Sequence, residues 1–245
     1  MLKYDEINDL ALSLRRKWGI DNYSPIDIFS LALKKIENLT IIWMQMNPEV
    51  SGACSKNDKD SIVVINSAHS KGRQNFTLAH ELYHLLYDDS NNQFFCAEDD
   101  ENEVEEDANN FASCLLMPTP ALREFKRDNV KDKWTIKEII KCEQWFAISH
   151  KNMLCRLRRE KDIDYNDFER FKYGVKGHAL RLGYDLDLYE PSDEKKQYYA
   201  VGHLIPLVDK VYSKGKISKG LKNEILIKNF RSDMVYDIKE DLFFD

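Results

Sequence analysis

The run His80-Glu81-Leu82-Tyr83-His84 spells H-E-x-x-H and constrains this chain more than any other five residues. On a helix, His80 and His84 stand at i and i+4, so both imidazoles leave one face, a turn apart. Two nitrogens so placed can ligate one zinc ion at about 2.0–2.1 Å each. Glu81 lies roughly 100° further round the helix, beside the pair. It can reach a water on such an ion without ligating the ion itself. The motif therefore offers two ligands and a general base. Its flanks, Phe76-Thr77-Leu78-Ala79 and Leu85-Leu86-Tyr87, are apolar on nearly every side, which marks a buried helix. Two histidines and a glutamate are costly to bury there unless they are paired or hold a metal. The competing reading is a pair of core histidines hydrogen-bonded to backbone.

A zinc site of this type needs a third protein ligand, usually a carboxylate on a later helix. Val104, Ala108, Phe111, Ala112 and Leu115 form a helical stripe across Glu103 to Leu116. The acidic run Glu98 to Asp107 suits the start of that helix, where negative charge meets the positive dipole end. Most of these carboxylates are expected in solvent. Position against the stripe selects Glu105, with Glu101 and Glu106 as rivals. Asn109, one turn after Glu105, is placed to hydrogen-bond a ligand histidine and fix its tautomer.

Two stretches carry a family resemblance. Arg73-Gln74-Asn75-Phe76-Thr77-Leu78-Ala79-His80-Glu81-Leu82-Tyr83-His84 resembles the signature of the ImmA/IrrE metallopeptidases. So does Glu105-x-x-Ala108-Asn109-x-Phe111-Ala112-x-x-Leu115-Leu116-Met117-Pro118. Ser51-Gly52 with Ile62-Val63-Val64-Ile65-Asn66 is similar to the family's strand region, and Pro25-Ile26-Asp27-Ile28-Phe29 to its opening helix. The resemblance implies zinc on His80, His84 and Glu105, and the base role on Glu81. The Glu-x-x-x-Asn spacing also resembles the third-ligand helix of the gluzincins, which favours Glu105 over Glu106. Tyr83 departs from the glycine common in the family. Its ring is expected near the site, narrowing the cleft or touching substrate or oxyanion. His150 is a second candidate for the oxyanion.

Composition frames these expectations. The 245 residues are 43% hydrophobic, enough for a large core and more than one domain. The N-terminus lacks the basic start and apolar run of a signal peptide, and no stretch reaches the roughly 18 apolar residues of a membrane helix. Five cysteines without C-x-x-C spacing read as reduced thiols. The expected location is cytoplasmic, with no membrane association.

From Thr119 to Lys161 the charge changes sign, with 12 Lys/Arg against 6 Asp/Glu in a chain of net charge −6. Trp134 to Phe146 reads as a helix, Ala147-Ile148-Ser149 as a turn with Ser149 as N-cap, and His150 to Arg159 as a second helix. That is a helix-turn-helix outline. Direct nucleic-acid binding is possible on this pattern but not favoured over a solvated basic face. Docking of an acidic or DNA-bound protein substrate lies between the two. Further on, Pro206 to Tyr212 and the residues after Gly215-Lys216-Ile217-Ser218 read as a helix, a turn and a capped helix. Tyr198-Tyr199 and Phe243-Phe244 read as core residues, with partner contacts as the alternative.

The expected fold is α+β. Zincin-like helices pack on a small antiparallel sheet, followed by a mostly helical C-terminal part with the helix-turn-helix-like segment. The divisions fall at 1–120 for a metallopeptidase domain, 121–161 for the basic segment and 162–245 for a C-terminal helical region. The strand region from Ser51 to Asn66 is expected to bind substrate as an added strand. The resemblance implies a zinc endopeptidase whose protein substrate is a helix-turn-helix repressor, cleaved to derepress genes. The alternative is a non-proteolytic regulatory or DNA-binding protein that keeps the fold.

Overall fold

The computed structural model describes residues 2–88, 93–97 and 103–236. Helix α1 (Tyr4–Lys17) carries Asp5 and Glu6 in its first turn and Arg15, Arg16 and Lys17 in its last, each sign at the helix end that favours it. Helix α2 (Ile28–Lys35) begins where Asp27 accepts the Ser30 N–H. Three strands follow: β1 (Leu39–Met44), β2 (Val50–Lys56) and β3 (Ser61–Asn66). Helix α3 (Lys71–Tyr87) bears the H-E-x-x-H run, and strand β4 (Gln93–Ala97) separates it from α4 (Glu103–Leu116).

The five-stranded sheet has the order β4-β2-β3-β1-β5, where β5 spans Tyr199–Gly202. It is mixed, which corrects the expected antiparallel sheet. β1 and β3 run parallel with Ile41 opposite Val63, while the other three pairings are antiparallel. The reason lies in two connections. After β1 the chain skips one strand position to form β2. A tight turn around Asn57, whose Oδ1 accepts the Lys59 and Asp60 N–H groups, then folds β3 back into the gap. The skipping loop is held by buried Asn66. Its amide donates to Asn47 O at 3.1 Å and Val50 O at 2.8 Å, and its Oδ1 accepts the Met46 N–H at 3.2 Å.

Pro118 and Pro120 bracket the start of α5 (Thr119–Asn129), so the chain turns directly after α4, as the Met117-Pro118-Thr119-Pro120 run predicts. The basic segment forms α6 (Ile136–Phe146), a turn with Ala147 in the left-handed region, and α7 (His150–Arg159). Ser149 caps α7 by accepting the Asn152 N–H, and Thr135 caps α6. Ile139, Phe146, Met153, Leu154 and Leu157 join the same apolar core as Leu78, Leu82 and Phe111. Arg156, one of the basic residues read as a solvated face, is buried instead. It bonds Ser113 Oγ at 3.2 Å and Thr119 Oγ1 at 2.8 Å, tying α7 to the α4–α5 junction.

Beyond lie α8 (Tyr165–Phe171), α9 (Val175–Arg181), a 3₁₀ turn at Asp187–Tyr189, and β5. Helix α10 (Leu204–Ser213), the Ser218-capped α11 (Lys219–Lys228) and α12 (Asp233–Tyr236) complete the described chain. The C-terminal part is therefore mostly helical, yet it also supplies an edge strand of the sheet. Gly202 makes that docking possible. At φ +99° its backbone comes so close to Leu39 that a Cβ would overlap the Leu39 carbonyl oxygen. Tyr198, just ahead of β5, does not enter the core: it is 46% exposed and rests on Phe230. Phe243 and Phe244 lie outside the described residues. No helix among the described residues is long and apolar enough to cross a membrane.

Candidate metal centre

Helix α3 is buried on almost every side, with Leu78, Ala79 and Leu82 fully enclosed. It packs on β2 and β3 below and on α4 beside it. This places His80 and Glu81 in the lining of a cleft of about 680 Å³ between α3, α4 and α7, with His84 fully buried behind them. His80 Nε2 and His84 Nε2 are 3.1 Å apart. Glu105 arrives from the buried face of α4, its Oε2 3.0 Å from His80 Nε2 and its Oε1 3.3 Å from His84 Nε2. The three residues form a cluster able to hold a metal ion, with their ligand atoms all within 4.8 Å of one another.

The outer bonds of the two rings show that the donor set fits a cation. His80 Nδ1 is 3.0 Å from Asn109 Oδ1, and His84 Nδ1 is 3.1 Å from Asp88 Oδ2. An acceptor on each Nδ1 would hold the ring proton there once a cation takes the Nε2 lone pairs; without one, Nε2 donates to Glu105. Burial raises the Glu105 pKa, but the bonds from His80 and His84 outweigh it and bring the carboxyl down to about 2. Burial likewise lowers the His84 pKa, and the bonds to Glu105 and Asp88 reverse that into a net rise. Two ring nitrogens and an ionised carboxylate thus converge in a largely dry site.

Glu81 is fully buried beside His80 and stands outside the three-ligand cluster. Strand β2 shapes its surroundings. A Cβ on Gly52 would lie 2.6 Å from Thr77 Cγ2 and 3.1 Å from Glu81 Oε1, so only glycine lets strand and helix approach this closely. Two residues on, burial and then the neighbouring Glu81 carboxylate push the Cys54 thiol up, keeping it protonated. Two further, Lys56 Nζ donates to Leu85 O at 3.1 Å and Asp88 O at 2.9 Å, capping the C-terminal end of α3 with a cation. Alternate residues of one strand face thereby seat Glu81 and the turn that carries Asp88.

The structure brings His80, His84, Glu105, Asn109 and Glu81 together. Glu106, a rival ligand, is exposed and pairs with Arg159 at 3.3 Å, while Glu101 lies outside the described residues. Tyr83 is placed differently from the expectation. It is 6% exposed and its ring packs against His84, Tyr87 and Phe111 at 5.6–6.0 Å, between α3 and α4 and off the cleft wall. His150 does line the cleft, but both ring nitrogens are engaged, Nδ1 with Glu143 at 2.8 Å and Nε2 with Phe171 O at 2.9 Å. The added-strand expectation also fails for β2 and β3, since each is already paired on both sides. Sequence reasoning missed Asp88, although its i+4 spacing from His84 was legible. It also missed Gly52, Cys54 and Lys56, whose roles depend on which strand lies under α3.

Among characterised proteins the comparison returns no match. A family model does match: the IrrE N-terminal-like domain of the M78 peptidases covers residues 37–169, more than half of the chain and all of the metal-ligand cluster. A metallopeptidase-type function follows from that match and from the cluster, and the chain belongs to the ImmA/IrrE family.

Proposed function

We propose that the chain is a zinc-dependent endopeptidase whose substrate is a helix-turn-helix transcriptional repressor, cleaved to derepress genes. One observation carries the hydrolytic part: two Nε2 atoms and a carboxylate converge in a cluster of three, with fully buried Glu81 adjacent in sequence to one of them. His80, His84 and Glu105 would hold the zinc, and this donor set of two imidazoles and one carboxylate is one that zinc accepts. When bound, zinc supplies Lewis acidity toward the scissile carbonyl and toward the attacking water. Asn109 and Asp88 keep the rings in the ligating tautomer. Glu81 takes the proton from the attacking water and passes it to the leaving amide nitrogen. The apolar packing behind α3 excludes bulk solvent and strengthens each of these electrostatic contacts.

The repressor substrate rests on the resemblance of the two signature stretches, and the cytoplasmic location on the reading of the five cysteines as reduced thiols. The test is a paired measurement on purified protein. Elemental analysis should give one zinc per chain. Incubation with the repressor encoded nearest to this chain's gene should give discrete fragments with wild type and none with Glu81→Gln. An intact repressor after prolonged incubation with zinc-loaded wild type would remove the substrate assignment. If Glu81→Gln still switched the target promoter at wild-type level in cells, the non-proteolytic reading would replace it.

A further inference from the structure

Helix α7 presents two faces. Met153, Leu154 and Leu157 are fully buried in the core. Lys151, Arg158 and Arg159 are exposed at i, i+7 and i+8, a single row along the helix. That row lines the same cleft as His80, Glu81 and Glu105. Arg73 from α3 and Lys176 from α9 line the cleft as well. Among the described lining residues the only carboxylates are Glu81 and Glu105, both committed to the metal centre. Arg159 pairs with Glu106 at 3.3 Å and Lys176 with Glu190 at 2.8 Å, yet the described lining of this cleft stays cationic in a chain of net charge −6.

We propose that this cleft selects acidic peptide segments, with the cationic row on α7 reading carboxylates near the scissile bond. The proposal rests on the peptidase reading and names the substrate class of that same site. Low-dielectric walls focus the field of several like charges, so a carboxylate-bearing chain gains in both encounter rate and residence. Lys151 stands in the first turn of α7, where the positive helix end adds to its charge. Arg158 stacks over the Phe168 ring at 5.3 Å, which holds its guanidinium in place. The row is also the one that the helix-turn-helix outline would assign to DNA. A reading helix must stand clear of its domain to enter a major groove about 12 Å wide. Here the basic row of α7 is a wall of a concave cleft, a shape that admits an extended peptide in preference to a duplex.

The experiment uses the full chain carrying Glu81→Gln, supplied with zinc, and measures binding without turnover. The probes are labelled synthetic peptides of one length: one with Asp and Glu at alternate positions, its Asn/Gln twin, and a labelled DNA duplex. The acidic peptide should bind about tenfold more tightly than its amide twin, the loss expected for two charge contacts. Adding Lys151→Glu and Arg158→Glu should abolish the difference. The milder Lys151→Gln with Arg158→Gln should reduce it, and Lys131→Glu, a surface charge reversal away from the cleft, should leave it intact. Equal affinity for the two peptides overturns the proposal, as does a preference that survives charge reversal. Tighter binding of the duplex, equally sensitive to Lys151 and Arg158, overturns it in favour of nucleic acid. Hydrolysis is scored separately, by wild-type digestion of a degenerate peptide library. Acidic preference in Glu81→Gln supports the proposal whatever that digest yields, and an uncut library counts against the peptidase reading alone.

Discussion

At the scale of single residues, the proposed centre divides into side chains assigned to ligate, to react and to orient. Glu81→Gln keeps nearly the same shape and should keep metal and fold. It should lower peptide hydrolysis by about 10²–10⁴-fold, the usual loss when a general base is removed. Steady-state cleavage with metal content measured on the same sample checks this. Full activity would show that Glu81 moves no proton. For the ligands, Glu105→Ala should abolish stoichiometric metal, whereas Glu106→Ala should not, because Glu106 is exposed and paired with Arg159. Asp88→Ala tests the orienting role. It leaves all three ligands in place but frees His84 Nδ1, so metal affinity should fall about 10–100-fold. A competition titration against a chromophoric chelator reads that change, and an unaltered affinity would reduce Asp88 to a helix-end residue.

At the scale of elements, the site depends on how closely β2 approaches α3. Gly52→Ala puts a methyl group against Thr77 Cγ2 and the Val64 carbonyl, 2.6 and 2.9 Å away, so strand or helix must shift. The expected cost is about 1–3 kcal/mol of stability, typical of overpacking. Activity should drop as well, because the same shift displaces Glu81. Chemical denaturation and a cleavage assay together test this, and an unchanged midpoint would mean the interface yields without strain. Much of the element pattern was legible. The stripe in α4, the capped turn between α6 and α7, and the α10–α11 pair all follow from local periodicity and capping. The parallel β1–β3 pairing was not legible, since the Asn66 amide and the skipped strand position set it, and neither leaves a periodic trace.

At the scale of the molecule, His150 joins segments far apart in sequence. Its ring bridges Glu143 on α6 and the carbonyl at the end of α8, and Tyr189 from the 3₁₀ turn donates to the same Glu143 at 2.6 Å. Burial by itself lowers the His150 pKa, but the Glu143 bond and charge raise it above the ordinary histidine value. The folded-state pKa then exceeds the unfolded one. The stabilisation is fully present below about pH 6.5, the unfolded value, and is lost as pH rises through the raised folded value. Melting temperature should therefore fall more steeply toward alkaline pH in wild type than in His150→Gln. Comparing the slopes cancels every other titration, which both proteins share. Parallel curves would show that the pair carries no proton-linked stability.

Local spacing determined the chemistry of this protein. Histidines at i and i+4, a glutamate between them, and a Glu-x-x-x-Asn on the next amphipathic helix place ligands, base and one orienting group without knowledge of the fold. Helix geometry alone sets which of those side chains share a face. The tertiary structure decided everything that depends on contact across the chain. It put Gly52 and Cys54 beneath Glu81, turned Tyr83 into the core, closed both sides of β2 and β3, and made the basic row of α7 a wall of the metal cleft. Those outcomes follow from how helices and strands pack, and packing is a property of pairs of surfaces that no single stretch of sequence contains.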